Sequence, residues 1–286
     1  MITNDELKIN TIYFISKGRP QCSTAETLKK IKYPGEWFIV CGNNDETLPE
    51  YQRNWGKRVL VFDWYEEIKH TNTLDNFGFE TKGSGACPVR NATRRISEER
   101  GELRHWQLDD DYISFARYSG KEQKNKTIKD GRILFSTMYR IAEFGLKTNL
   151  PNIGFCLSTA EAIPTNRLGF AKRIFNAHNM PSDAESFQQW VGRMNDDTIH
   201  AMNVWRSGKY EMQLKYLQIG MKPSQSEKGG LSEMYKVDGT VRKTAYLFLI
   251  APSASKLVIR YGRYHHRVDW DEIVPKLIRM EYRKQA

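Results

Sequence analysis

Three consecutive carboxylates, Asp109-Asp110-Asp111, stand between a strand-like stretch, residues 103–108, and a short apolar run, residues 112–116. Three adjacent like charges cannot sit inside either run, so the chain must reach the surface between two buried segments. A strand over 103–108 would put the triplet at its carboxyl end, the edge at which open α/β sheets bind ligands. Alternate side chains of an extended chain share a face, so Asp109 and Asp111 point together and Asp110 points elsewhere. Two carboxylates on one side suit a hard divalent cation that keeps part of its water and binds a diphosphate. A polar turn or a helix cap is the plain alternative, and the flanking sequence has to decide between them.

The preceding segments alternate in type. Residues 11–16 form an almost wholly apolar run, which fits a buried parallel strand, and Lys17-Gly18-Arg19-Pro20 ends it in a turn. A helix over 24–31, a strand over 37–41, a helix over 48–54 and a strand over 58–63 follow. Strand, helix, strand, helix, strand predicts a parallel, right-handed α/β sheet. No GxGxxG follows the first strand and no GxxxxGK[ST] occurs, so ordinary dinucleotide and P-loop sites are poor fits. A loop over 78–88 containing Gly83-Ser84-Gly85 leads into a helix from Val89. Arg90 and Asn91 at that helix start would face an anion, whereas Arg94 and Arg95 read as a solvated face.

Beyond the triplet, residues 117–132 carry six Lys or Arg and read as a polar excursion from the sheet. An amphipathic helix over 133–146 resumes the core. Strands are expected over 152–158 and 173–177. Asn195-Asp196-Asp197 then opens a helix running towards Gly208. Asn195 or Asp196 makes a good N-cap there, and the remaining carboxylate is a candidate general base. A strand over 212–220, a loop over 222–230 able to fold over a substrate, a buried strand over 244–251 and a closing helix over 269–282 complete the reading. Between the last two, residues 256–267 alternate basic and aromatic side chains. Arg260, Arg263, Tyr264, His266 and Arg267 suit stacking and phosphate contact, and His265 is a candidate further metal ligand.

Lys and Arg number 44 against 34 Asp and Glu, leaving +10. Such a balance favours polyanionic partners and equally fits a basic enzyme without one. Cys22, Cys41, Cys87 and Cys156 show no CxxC spacing, so free buried thiols are expected and no zinc site. Neither a signal peptide nor a membrane-length apolar run is present, which predicts a cytoplasmic protein with no membrane contact. No obligate protein partner is evident.

Five stretches taken in order, Ile15-Ser16-Lys17-Gly18-Arg19-Pro20, Trp37-Phe38-Ile39-Val40 with Asn44-Asp45, Val89-Arg90-Asn91, Trp106-Gln107-Leu108-Asp109-Asp110-Asp111 and Asn195-Asp196-Asp197, resemble a GT-A-type glycosyltransferase. More narrowly, the chain is similar to the TET-associated glycosyltransferase family of phages. That family includes enzymes that place sugars on 5-hydroxymethylpyrimidines in DNA. The resemblance implies a GT-A-like α/β fold with a central, mostly parallel sheet, a donor-binding half over 1–165 and a mixed acceptor-binding half over 166–286, packed as one continuous domain. It also implies a UDP-sugar donor with Mn²⁺ or Mg²⁺, and an acceptor of hydroxymethylcytosine DNA in the phage-infected host cell, with arabinose ahead of glucose as the sugar. By the same resemblance Asp111 ligates the metal, Asp109 the metal waters or the ribose, and Asp110 the sugar. Ser16, Arg19 and Asp45 line the nucleoside pocket, Arg90 and Asn91 meet the diphosphate or sugar, and Asp196 or Asp197 acts as base. A transferase for protein or saccharide acceptors, a non-catalytic nucleic-acid-binding module and a metal-dependent nuclease are the competing readings.

Overall fold

The computed structural model describes residues 3–74, 85–122, 124–157, 168–171, 177–221, 232–260 and 262–273. In chain order these form α1 (Asn4–Asn10), β1 (Thr11–Ile15), α2 (Ser23–Lys30), β2 (Trp37–Gly42), α3 (Leu48–Trp55), β3 (Val59–Phe62), α4 (Trp64–His70), α5 (Cys87–Glu99), β4 (Arg104–Asp109), β5 (Tyr112–Ser119), β6 (Lys124–Thr127), α6 (Gly131–Lys147) and β7 (Ile153–Leu157). They continue with β8 (Leu168–Ala171), β9 (Ala177–Pro181), α7 (Asp196–Arg206), β10 (Glu211–Met221), α8 (Ser232–Ile250), β11 (Ser255–Arg260), β12 (Arg263–Val268) and α9 (Trp270–Ile273).

One sheet carries the strand order β3-β2-β1-β4-β9-β7-β10-β5-β6, with β8 paired to β10. The first four strands are mutually parallel. β9 runs antiparallel to β4 and β7, and β5 runs antiparallel to β10 and β6, so the later part of the sheet is mixed. β1 is buried throughout, as its unbroken apolar run requires. Its alternate residues serve opposite faces. Ile12 and Phe14 join Trp106, Leu108, Leu134 and Met138 on one side, and Tyr13 joins Val40, Cys87, Met180 and Trp190 on the other. A third cluster, with Met194, Ile199, Met202, Tyr246 and Leu247, packs α7 against α8. All four cysteines are free and buried, as expected.

The chain builds β1, β2 and β3 in one direction and then returns to the other side of β1 to lay down β4. Strand order therefore reverses between β1 and β4, and their register pairs Ile15 with Asp109. The triplet sits at the carboxyl mouth of that reversal, where an open α/β sheet leaves a crevice.

Two expectations are corrected. The basic excursion after the triplet is largely a β-hairpin, β5–β6, that extends the sheet: Tyr112 and Phe115 are buried, and Lys124 and Lys126 lie exposed on the edge strand. Lysines on an edge discourage pairing with another chain, which explains a charge run inside a sheet. Residues 244–251 are not a strand but belong to α8 and the turn after it. Thr244, Leu247 and Ala251 are buried at helical spacing, whereas Leu249 is 60% exposed. A continuous apolar run of this length fits either element, and packing on one face settled it. Of the strand expected over 173–177, Ala177 is described and opens β9. Residues 78–84 of the glycine loop, 173–176, the 222–230 loop and 274–282 of the closing helix lie outside the described residues. No helix among the described residues is long and apolar enough to cross a membrane.

The helical reading of α8 makes an uneven prediction. Leu247→Ala should lower unfolding free energy by roughly 2–5 kcal/mol and Leu249→Ala by no more than about 0.5, read from urea titrations. Equal, large losses would indicate a strand buried on both faces.

Candidate active site

Two groups of side chains converge on the triplet from opposite walls of the crevice. On the first wall, the turn after β1 is shaped by Gly18 at φ +68°, a conformation that strains residues with a Cβ. The Gly18 N–H donates to Asp45 Oδ2 at 2.9 Å, and Asp45 Oδ1 receives the N–H and hydroxyl of Thr47 at 2.9 and 2.7 Å. Asp45 thus ties the β1 turn to the start of α3. Tyr51 on α3 accepts from the Arg19 N–H at 2.8 Å, and its hydroxyl lies 2.5 Å from Ser16 Oγ. Ser16 donates onward to Asp110 Oδ2, and Arg19 Nη1 reaches Asp110 Oδ1 at 2.8 Å. The backbone of the triplet is held by Thr24 at the start of α2. Its hydroxyl donates to the Asp109 carbonyl at 2.7 Å and accepts from the Tyr112 N–H at 2.9 Å, while its own N–H donates to the Asp110 carbonyl at 3.1 Å.

On the second wall stands Arg90, in the first turn of α5 and 3% exposed. Its Nη2 is 3.2 Å from Asp109 Oδ1, its Nε 3.2 Å from Asp196 Oδ2, and Nη2 is 3.9 Å from Asp197 Oδ1. The guanidinium lies over the Trp190 ring, 4.6 Å from its centroid. One cation therefore clamps the end of β4 to the mouth of α7. The helix position is braced by Gln107 Nε2, which donates to the Arg90 carbonyl at 2.9 Å. Asn91 exchanges hydrogen bonds with the Trp190 backbone, 3.0 Å in each direction, and fixes the segment leading to α7.

The electrostatics follow from this crowding. Burial pushes the Asp109 carboxyl well above its usual range; Arg90 opposes that, while Asp111, Asp197 and Asp110 reinforce it. Asp196 is also raised, by burial first and Asp197 second. Asp110 is pushed up to about 6 by burial, with Arg19 and Ser16 opposing. Arg90 is held charged by its three carboxylates against the cost of burial. One guanidinium among Asp109, Asp196 and Asp197 leaves an excess of carboxylate facing the crevice.

Ser16, Arg19, Asp45 and Asp110 thus lie together on one wall, and Arg90, Asp109, Asp196 and Asp197 on the other. Asp110 diverges from Asp109 as the alternation predicts, but towards Ser16 and Arg19 on the expected nucleoside side. Asn91 is close by as a brace for Trp190. Asn195 takes the N-cap position of α7 at φ +58°, yet its side chain caps nothing and instead donates to the Lys243 carbonyl. Arg260, Arg263, Tyr264, His265, His266 and Arg267 lie on the separate β11–β12 ribbon. Among the described residues no three His, Cys, Asp or Glu side chains converge as a metal-holding group, so His265 is not brought into a set with Asp109 and Asp111. The sequence reading missed Tyr51, Thr24, Trp190 and His178. Tyr51 and Trp190 resemble core aromatics in any pattern, and His178 is identified only by its strand pairing.

Carboxylates, hydroxyls and a clamped arginine thus meet where the strand order of the sheet reverses. The chain belongs to the TET-associated glycosyltransferase family, whose model matches residues 10–230, and it is a glycosyltransferase. That membership sets aside the nuclease and the non-catalytic module. Among solved structures, the chain is similar to GalNAc-T7 with UDP, GalNAc and Mn²⁺, with TM-score 0.43 and 8% identity over 74% of this chain and 43% of that one. It therefore spans less than half the length of that protein. It is also similar to a protein described as a nucleotide-diphospho-sugar transferase from Desulfovibrio desulfuricans, with TM-score 0.40 and 10% identity over 72% of this chain and 79% of that one. A third is mannose-1-phosphate geranyltransferase from Thermus thermophilus, with TM-score 0.32 and 11% identity over 86% and 65%. No curated protein gives a significant match.

The raised Asp110 makes a signed prediction. Its pKa rises from 3.8 to about 6 on folding, so across that window the native state holds a proton the unfolded chain has released. Stability then falls as pH rises from about 4 to about 6. Asp110→Asn should flatten part of this slope in urea titrations along a pH series, leaving the part of the same sign due to Asp109 and Asp196. An unchanged slope would refute the assignment.

Proposed function

We propose that this glycosyltransferase moves a sugar from a UDP-sugar to the hydroxymethyl group of 5-hydroxymethylcytosine in DNA, with Mn²⁺ or Mg²⁺ at the Asp triplet. The observation that carries the site is Arg90, buried at the strand-order reversal and clamped between Asp109 and the Asp196-Asp197 pair. A hard divalent cation is supported by donor type: the triplet offers carboxylates, and no third protein ligand converges with them among the described residues. Asp111 and Asp109 would hold such an ion, leaving its remaining positions to water and diphosphate oxygens. When bound, the ion supplies charge stabilisation for the departing diphosphate.

Ser16, Arg19, Asp45 and Asp110 line the nucleoside side of this reading, with Tyr51 behind them. Arg90 faces the charge that develops as the sugar–diphosphate bond breaks. For an inverting transfer, Asp197 takes the proton of the incoming hydroxyl as the new sugar–oxygen bond forms, and the diphosphate leaves without needing a proton. Donor residues fall within 1–165, and the α7 pair and the ribbon within 166–286, which supports a division into donor and acceptor halves. The setting is the cytoplasm of a phage-infected cell.

Support for DNA comes from the ribbon and the net charge. Register places Lys256 opposite Arg267, Val258 opposite His265 and Arg260 opposite Arg263 on one face, and Leu257 opposite His266 and Ile259 opposite Tyr264 on the other. Lys256, Arg260, Arg263 and Arg267 are all exposed. A two-stranded ribbon fits the major groove, where the hydroxymethyl group projects, and a basic face meets phosphate. The base is expected to leave the stack to enter the crevice. Arabinose is favoured over glucose on the family resemblance.

Nucleoside mass analysis of hydroxymethylcytosine DNA, after incubation with Mn²⁺ and a panel of UDP-sugars, should show a pentose or hexose added to the modified base. UDP-sugar hydrolysis without added mass would move the acceptor to protein or saccharide. Asp111→Asn should abolish transfer and metal-dependent donor binding while leaving the melting temperature within a few degrees; wild-type turnover would remove Asp111 from the site. For the ribbon, replacing Lys256, Arg260, Arg263 and Arg267 by Ala should reduce the slope of log affinity against log salt by about 0.9 for each phosphate that is no longer neutralised. An unaltered slope would place DNA elsewhere on the surface.

A further inference from the structure

Behind Asp197 lies a chain of buried polar groups that no step above uses. His178, on β9 and 1% exposed, points Nε2 towards Asp197 Oδ1 at 3.7 Å, longer than a hydrogen bond, as catalytic contacts are before substrate binds. The strand register explains its place: His178 pairs with Gln107 on β4 and with Gly154 on β7, two residues along from the Asp109 end of the sheet. Its Nδ1 lies 3.0 Å from Asn152 Nδ2, which also donates to Glu211 Oε1 at 2.8 Å. His200 Nδ1 approaches the same Glu211 oxygen at 2.9 Å. Asn152, His178, His200 and Glu211 are all at most 1% exposed.

These contacts fix the tautomer. Turning the Asn152 amide round would press its carbonyl oxygen against the Glu211 carboxylate, so the NH₂ group must face Glu211. It then offers its second hydrogen to His178 Nδ1. A neutral imidazole that accepts at Nδ1 carries its proton at Nε2, the atom aimed at Asp197. Burial and the nearby Arg90 both disfavour the imidazolium, with His200 adding to them and Glu211 and Asp196 opposing. The ring is held edge-on to Trp190 at 4.9 Å, and Trp190 stacks on His200 at 4.2 Å. Meanwhile Asp197 Oδ1 is buried although the side chain is 22% exposed, so its exposed part lies away from His178.

We propose that His178 is a positioning residue for Asp197: as the neutral Nε2–H tautomer, fixed by Asn152 and Glu211, it backs one carboxylate oxygen from inside, closes to hydrogen-bond distance when the acceptor binds, and so turns the other edge towards that acceptor. The inference rests on the reading of Asp197 as base. It assigns Glu211, Asn152 and His200 as the frame that keeps the imidazole from rotating or changing tautomer, and it moves no proton itself.

Two variants separate this from a packing role. A glutamine amide nitrogen reaches the place of Nε2, whereas an asparagine reaches only that of Nδ1. His178→Asn should lower kcat roughly tenfold or more, within the range that general-base assistance supplies, with the donor KM little changed. Its acidic limb in the pH dependence of kcat should move to higher pH, because a carboxylate that loses a donor binds its proton more tightly. His178→Gln should recover most of both. Equal impairment of the two variants, or an unmoved limb, would overturn the proposal. Long-range ¹⁵N–¹H correlation on histidine-labelled protein decides the tautomer without any substrate: His178 should show protonated Nε2 and no titration through neutral pH, and a protonated Nδ1 or an imidazolium would sink the inference. Asp197→Asn is measured in parallel. If that variant keeps wild-type turnover, the base reading itself fails; if it is inactive while His178→Asn is unimpaired, only the positioning role fails.

Discussion

Burying one guanidinium among three carboxylates is tolerable only while every partner stays in place. The desolvation cost of such ions is several kcal/mol each, and losing one partner leaves another charge stranded. Arg90 is 3% exposed, so its pairs with Asp109 and Asp196 are constraints on the backbone as much as sources of energy. They join three elements distant in sequence: the end of β4, the first turn of α5 and the mouth of α7. Trp190 supplies the floor, and Asn91 locks the Trp190 backbone to the same helix that carries Arg90.

The opposite wall is built on different physics. Ser16, Tyr51, Arg19 and Asp110 form a short hydrogen-bonded chain, and Gly18 bends the loop so that its N–H meets Asp45. Here neutral hydroxyls share the work with a single ion pair. Thr24 fastens the triplet backbone between the two walls, so the directions of Asp109 and Asp110 are set before any ligand arrives. The alternation of side chains along β4 is what lets one triplet serve two walls.

Much of this was legible because the parallel half of a GT-A-like sheet writes itself as unbroken apolar runs separated by turns. The strands β1 to β4 and the position of the triplet followed from that rhythm, and Arg90 from its place at a helix start. The β5–β6 hairpin was hidden because an edge strand carries lysines that look like a loop. Residues 244–251 looked like a strand because a run of apolar and aromatic residues has no period until one face is covered; the burial of Leu247 beside the exposure of Leu249 supplied it. Tyr51, Thr24 and His178 were invisible for a third reason. Their roles depend on hydrogen bonds across tens of residues, and nothing local distinguishes them from ordinary core positions.

The neighbouring carboxylates at the mouth of α7 have separate roles because their surroundings differ. Asp196 is 11% exposed, receives Arg90 Nε at 3.2 Å and holds a proton more tightly than an ordinary carboxyl. A group so placed anchors the guanidinium and has little reach outward. Asp197 is 22% exposed, with Arg90 Nη2 at 3.9 Å and His178 Nε2 at 3.7 Å both on its inner oxygen. The greater exposure of Asp197 is what supports proposing it, and not Asp196, as the base. Helix geometry reinforces the choice. Both residues lie in the first turn of α7, where backbone N–H groups favour the ionised form. Asp196 meets Arg90 at 3.2 Å and Asp197 only at 3.9 Å, so the second is the less tightly engaged of the pair.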